Sequence, residues 1–224
     1  FFENHRLIHN ERPVWRTVTG GSKQYHDKLL APLQGKVRAG CAVRGVLRDA
    51  NGVTISTLDG NSAQFDHVII ASHSDQALAM LKDASERERA VLSAIKYRPN
   101  RVILHRDDSL MPKRKRAWAA WNYLRSSSGG GEPEIAMTYW MNRLQGIDAS
   151  KPLFVTLNPD REPKAGTVFG EWEYAHPQFD AAAMAAQKQL SAIQGGNFTM
   201  FAGAWTGFGF HEDGLRSGLQ AAQS

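Results

Sequence analysis

The sequence has only one cysteine, Cys41, among its 224 residues. A single thiol excludes an internal disulfide and a cysteine-based metal cluster. No apolar run approaches the roughly 20 residues that a membrane helix needs. The motifs H-E-x-x-H, G-x-S-x-G and G-x-G-x-x-G are also missing. We therefore expect no metal, no integral membrane segment and no serine-hydrolase site, and a cytoplasmic location fits this composition.

The charge balance is moderately basic, with a formal net charge of +5. Part of the excess is local, in the run Lys113–Arg116, which is typical of a solvated loop. No zinc-finger spacing and no aromatic RNA-binding motif accompanies it, so no nucleic-acid partner is expected. A weak peripheral contact with anionic lipid stays open as an alternative.

The C-terminal stretch has the most informative pattern. Apolar residues at 198–201 predict a strand, and four closely spaced glycines follow it. Leu215, Leu219 and Ala222 then recur at helical spacing behind Glu212 and Asp213. The N–H groups and the dipole at such a helix start suit an electron-rich or anionic ligand. A glycine-rich connection without a ligand remains the alternative interpretation.

Elsewhere the sequence predicts a mixed α/β chain. Ser22 is expected to cap a helix, Asp49–Gly52 with its Asn-Gly pair to turn a hairpin, and Ser85 with Glu88 to form a capping box. Aromatic residues in the middle of the chain suit the surface of an antiparallel sheet, mostly for packing. The predicted strands cover 15–18, 36–38, 42–47, 53–57, 64–71, 102–105, 117–124, 135–141, 152–157, 167–174 and 198–201. The predicted helices cover 25–30, 75–81, 85–95 and 180–190, and a loop is expected over 126–133.

Two patterns resemble a known family. Ala202-Gly203, Gly209-Phe210-His211-Glu212 and Ser217-Gly218 together resemble the C-terminal flavin motif of the flavin amine oxidase superfamily. The predicted strands over 42–47, 53–57 and 64–71, the last of which is buried and ends in Ala71, are similar to the second half of its dinucleotide domain. From about Pro13 onward the chain looks most similar to a bacterial subgroup described as predicted NAD/FAD-binding or amine-oxidase-like proteins. The resemblance implies an FAD cofactor.

The resemblance also implies an organisation. Family members begin with a G-x-G-x-x-G unit that holds the FAD pyrophosphate, so we expect this chain to be a C-terminal fragment. A partial FAD-binding Rossmann-like domain is expected over 1–75, and a substrate-binding domain with an antiparallel sheet over 76–193. Residues 194–224 are expected to return to the FAD-binding domain. Without that unit the chain is expected to bind FAD weakly or not at all. Its exposed apolar faces would favour association with itself or with the missing half.

The resemblance suggests cofactor contacts along the chain. Val43 corresponds to a valine that pairs its backbone with adenine, and Ser72 follows a strand that approaches the phosphates. Gly203 ends the last strand. Ala204, followed by Trp205, stands where many members carry an acidic residue that binds the ribityl hydroxyls.

Further contacts are expected at the last helix. Glu212 belongs to the flavin motif, and the backbone N–H groups of Asp213 and Gly214 are expected to face flavin N1 and O2. Two residues are expected to be catalytic. Phe210 stands at the position of one tyrosine of an aromatic cage, and Arg101 at that of a lysine near flavin N5.

These expectations converge on an FAD-dependent oxidoreductase. The reaction would be hydride transfer from a small apolar or amine-bearing substrate to the flavin. The alternative is a non-catalytic binding or structural domain with a degenerate or truncated flavin site. Ala204 in place of the acidic residue favours that alternative.

Overall fold

The computed structural model describes residues 16–125 and 135–223, which form two compact units. We call residues 16–37 and 100–173 the sheet unit, and residues 38–99 and 174–223 the meander unit. These limits differ from the domain boundaries expected after residues 75 and 193, and the function of each unit stays a prediction. The predicted loop over 126–133 and Trp15 lie outside the described residues.

Ten strands and six α-helices make up the described chain. The strands are β1 (Val43–Asp49), β2 (Gly52–Thr57), β3 (Ser62–Phe65), β4 (Val68–Ile70), β5 (Lys96–His105), β6 (Trp121–Arg125), β7 (Ile135–Trp140), β8 (Phe154–Leu157), β9 (Val168–Gln178) and β10 (Thr199–Phe201). The helices are α1 (Lys23–Leu30), α2 (Ser74–Met80), α3 (Glu86–Ala94), α4 (Met141–Gln145), α5 (Ala181–Gln187) and α6 (His211–Gln223). This mixture confirms the predicted fold class.

The meander unit is named after its antiparallel sheet, in which β2 lies between β1 and β3. Asp49 pairs with Gly52, so the turn contains Ala50 and Asn51. The hairpin turn predicted over Asp49–Gly52 is therefore confirmed. Gly52 has a φ of 122°, and a Cβ there would lie 2.5 Å from the carbonyl oxygen of Phe65. Only glycine allows β3 to approach this closely.

A second, parallel pair of strands completes the sheets of the meander unit. The strand predicted over 64–71 is divided, because β3 continues the meander whereas β4 pairs in parallel with β10. The capping box of Ser85 and Glu88 at the start of α3 is confirmed. In contrast, the predicted strands over 16–18 and 36–38 are wrong, because both segments are irregular. The helix predicted over 180–190 ends at Gln187.

A buried ion pair lies within the meander unit. The guanidinium of Arg48 donates to both carboxylate oxygens of Glu88, at 2.5 and 2.9 Å, and to both of Asp83. It also donates to Thr199 on β10 at 3.3 Å. Arg48 thus links β1, the start of α3 and β10. The buried apolar residues of this unit include Val46, Val53, Ile70, Leu92 and Phe201.

The sheet unit is built on a five-stranded sheet in the order β6-β7-β8-β5-β9. The strands from β6 to β5 are antiparallel to their neighbours. Helix α1 begins after Ser22 as predicted, although the Ser22 side chain makes no capping hydrogen bond. Within the part of the chain that the structure describes, none of the helices has both the length and the apolar character needed to span a bilayer.

Candidate functional site

The carboxyl ends of β4 and β10 lie side by side in the meander unit. The two strands pair in register from Thr199 with Val68 to Phe201 with Ile70. The N–H of Ala202 extends the pairing by donating to the carbonyl oxygen of Ile70 at 3.0 Å. Ligands of parallel sheets bind beyond this edge, so the residues that follow each strand are candidate binding residues.

Trp205 connects the segments that follow the two strands. Its indole N–H donates to the carbonyl oxygen of Ser72 at 3.0 Å, and the side chain is buried. Gly203, between them, has a φ of 147°, and a Cβ there would lie 2.7 Å from the indole nitrogen. Three of the predicted cofactor-binding residues are therefore in direct contact, and the turn requires glycine.

Ser217 attaches α6 to the same turn. Its buried hydroxyl accepts the N–H of Gly203 at 2.9 Å and donates to the carbonyl oxygen of Gly214 at 2.8 Å. We call Ser72, Gly203, Trp205 and Ser217 the strand-end cluster. Ser217 belongs to the sequence motif but is not among the predicted cofactor-binding residues. A hydroxyl in the second turn of a helix that follows a glycine turn was the available signal.

The first turn of α6 uses the N–H groups that were expected to face the flavin. Those of Asp213 and Gly214 both donate to the carbonyl oxygen of Phe210, at 3.0 and 3.2 Å. The positive end of the helix dipole remains at this end, although these two N–H groups bind within the protein. Phe210 and Ala204 are half-buried, and Glu212 is exposed.

The carboxylate of Asp213 is the feature of this turn that sequence reasoning missed. One of its oxygens accepts the N–H groups of Phe208 and Phe210, at 2.9 and 3.1 Å. The other accepts from Arg216. An acidic residue at the third position of a helix was the available signal, because it can reach back to the residue before the helix.

The remaining predicted residues lie elsewhere. Val43 begins β1 and is 37% exposed. Arg101 belongs to the sheet unit, whereas Phe210, the other residue expected to be catalytic, belongs to the meander unit. The Arg101 guanidinium is paired with Glu162 at 2.5 Å and with Glu171 at 2.5 Å. Glu162 and then Glu171 raise the pKa of Arg101, so its charge is fixed.

The sheet of the sheet unit has two contrasting faces. Cross-strand partners share a face because side chains alternate along each strand. One face is apolar and partly exposed, with Tyr123 at 61%. It consists of Val102, Leu104, Trp121, Tyr123, Met137, Tyr139, Val155 and Leu157. The opposite face contains buried polar residues, namely His105, Asn122, Thr138 and Thr156. We call the first the apolar face.

Comparison with known proteins gives the family. Over residues 1–166 the sequence matches the family described as flavin containing amine oxidoreductase. Among curated proteins no match was found.

Solved structures share the fold. A CLA-producing fatty acid isomerase from P. acnes is 16% identical with a TM-score of 0.60, over 91% of this chain and 52% of that one. Wild-type putrescine oxidase bound to putrescine is 13% identical with a TM-score of 0.58, over 92% and 53%. Reduced UDP-galactopyranose mutase is 12% identical with a TM-score of 0.53, over 82% and 45%. The chain thus spans about half the length of these structures.

Proposed function

Because the chain belongs to the flavin containing amine oxidoreductases, we propose that its protein is an FAD-dependent oxidoreductase. The reaction is hydride transfer from a small apolar or amine-bearing substrate to the flavin. FAD is the cofactor that the family membership implies, and when bound it supplies the electron acceptor. The observation that carries the proposal is the strand-end cluster, which joins the carboxyl edge of a parallel strand pair to the start of a 13-residue helix.

The strand-end cluster is chemically suited to a flavin nucleotide. Gly203 at the end of β10 makes room for the Trp205 indole, which fixes the main chain at this edge. The positive end of the α6 dipole favours electron-rich groups. We assign the phosphates to Ser72 and the turn at Gly203. The flavin ring is assigned to the start of α6, with Phe210 beside it and Glu212 on the outer side. Val43 is assigned to the adenine.

Arg101 has a narrower proposed role than the lysine it replaces. A guanidinium that is paired with Glu162 and Glu171 does not take up or release a proton at neutral pH. It can still hold a substrate or a water molecule by donating hydrogen bonds. We therefore propose that Arg101 orients groups near the flavin and transfers no proton.

The apolar face is the proposed substrate surface. Its aliphatic side chains suit an uncharged hydrocarbon, while Trp121, Tyr123 and Tyr139 could also attract an amine through their ring faces. The structural neighbours include proteins named for each class, a fatty acid isomerase and a putrescine oxidase. Both substrate classes are therefore kept.

Purification of the full-length gene product tests the proposal. We expect a yellow protein with flavin absorption bands, whose flavin is reduced anaerobically by a member of one substrate class. A colourless protein that takes up no FAD contradicts the proposal. A protein that binds FAD but is reduced by neither substrate class favours the non-catalytic alternative. Ala204 and the doubly paired Arg101 are the observations that support that alternative.

A further inference from the structure

The Asp213 carboxylate holds the loop between β10 and α6 in one conformation. Asp213 is buried, with 4% of its surface exposed, so its charge depends on protein partners. The carboxylate has three such partners: the N–H groups of Phe208 and Phe210 and the guanidinium of Arg216. Charge-assisted hydrogen bonds of this kind are about twice as strong as neutral ones.

The same loop is fitted closely around the carboxylate. A Cβ at Gly207 would lie 2.5 Å from both Cγ and one oxygen of Asp213. From the other side, the Gln187 amide donates to the carbonyl oxygen of Gly207 at 2.6 Å and to that of Trp205 at 2.8 Å. Residues 207–210 are thus held between α5 and the Asp213 carboxylate.

We propose that Asp213, through its carboxylate and not its backbone, is a positioning residue for the flavin. It fixes residues 207–210, and so sets the position of Phe210 and of the first turn of α6. Its negative charge also occupies the positive end of the helix, and Arg216 compensates that charge from the exposed side. This inference rests on the proposed function.

The test compares D213N with D180N in the flavin-loaded full-length protein. Asp180 is a matched control, because its carboxylate also accepts a backbone N–H at a helix start, that of Ala183 at 2.8 Å on α5. We expect D213N to raise the FAD dissociation constant at least about tenfold, which corresponds to about 1.4 kcal/mol. It should also change the visible circular dichroism of the bound flavin, and D180N should change neither.

R216Q provides a second variant in case D213N does not fold. Arg216 is 59% exposed, and its replacement leaves the hydrogen bonds from Phe208 and Phe210 to the Asp213 carboxylate in place. We expect the same spectral change with a smaller loss of affinity. The inference is overturned if wild type binds FAD and D213N equals wild type in both FAD affinity and visible spectrum. Where D213N does not fold, the same result for R216Q overturns it. A wild-type protein without flavin overturns the proposed function itself, and this inference with it.

Discussion

The indole N–H of Trp205 donates to the carbonyl oxygen of Ser72 at 3.0 Å, and this bond joins segments that are far apart in the sequence. Ser72 follows β4 and Trp205 follows β10, so the bond closes the carboxyl edge of the parallel pair. Because Trp205 also packs against Gly203, the indole determines how the main chain is arranged at this edge.

W205F should weaken both folding and FAD binding. The phenyl ring keeps most of the apolar contact but leaves the half-buried carbonyl oxygen of Ser72 without the indole donor. The full loss for a buried group is about 1–3 kcal/mol, so we expect a value toward the lower end. Urea denaturation measures the stability, and fluorescence titration measures the FAD affinity. W118F is a matched control, because the Trp118 indole donates to the carbonyl oxygen of Pro112 at 2.8 Å in the sheet unit. It should lower stability without lowering FAD affinity; equal effects on affinity would contradict the assignment.

The 224-residue chain by itself should bind FAD weakly or not at all. It spans about half the length of the solved structures that share its fold. A ligand that makes only part of its contacts loses affinity steeply, about tenfold per 1.4 kcal/mol. Isothermal titration calorimetry on this chain, with any longer product of the same gene as the control, measures the difference. A submicromolar dissociation constant for the 224 residues alone would refute this prediction.

E88Q should strongly destabilise the protein. Burial acts to raise the pKa of Glu88, but its bonds to Arg48 and Ser85 outweigh burial and lower it. Removing one partner of a buried pair costs about 3–5 kcal/mol where the other charge is left uncompensated. Arg48 keeps the Asp83 carboxylate at 2.9 Å, so we expect a loss at or below the lower end of that range. D27N is the control, because Asp27 pairs with Lys23 on the exposed surface of α1. Chemical denaturation should find little change for D27N, and a similarly small change for E88Q would count against the buried pair.

Short-range chemistry explains which parts of the fold could be predicted. The capping box of Ser85 and Glu88 and the hairpin at Asn51 depend on neighbours within a few residues, so the sequence displays them. The division of the strand predicted over 64–71 depends on pairing with β10, which is distant in sequence. An arginine next to a hairpin turn, as Arg48 is, usually has an exposed side chain. Its burial is explained only by the placement of Glu88 and Thr199, which are distant in sequence.

The candidate site could also be predicted only where it depends on residues that are close in sequence. Gly203 could be identified because a glycine at a strand end is a local requirement. The carboxylate of Asp213 could not be assigned in the same way, because an acidic residue at a helix start is usually explained by the dipole alone. Its role depends on the path of residues 207–210, which the structure defines through Gln187 as well.

His105 should make the stability of the protein depend on pH. It is fully buried, its Nδ1 accepts the N–H of Asp107 at 3.2 Å, and its Nε2 lies 2.7 Å from the hydroxyl of Thr156. These partners select the neutral ring with the proton on Nε2. Burial lowers the pKa of His105, and the Asp107 carboxylate offsets this only in part.

The sign of the effect follows from the lowered pKa. Above the ordinary value of about 6.5 both the folded and the unfolded states are neutral, so the full stability is present. Below it the unfolded state binds a proton first, and stability falls by up to about 1.4 kcal/mol per pH unit until the folded-state pKa is reached. The pKa of Asp107, lowered to about 2, affects stability only in stronger acid.

H105N isolates this contribution, because asparagine keeps a donor and an acceptor but does not titrate. Urea denaturation at about pH 8 and about pH 5.5 should find a smaller loss of stability for H105N than for wild type, since only histidine titrates in this range. H26N is the control, because His26 lies on the exposed surface of α1, and it should follow wild type. If wild type and H105N lose the same stability over this range, the buried imidazole is not the titrating group.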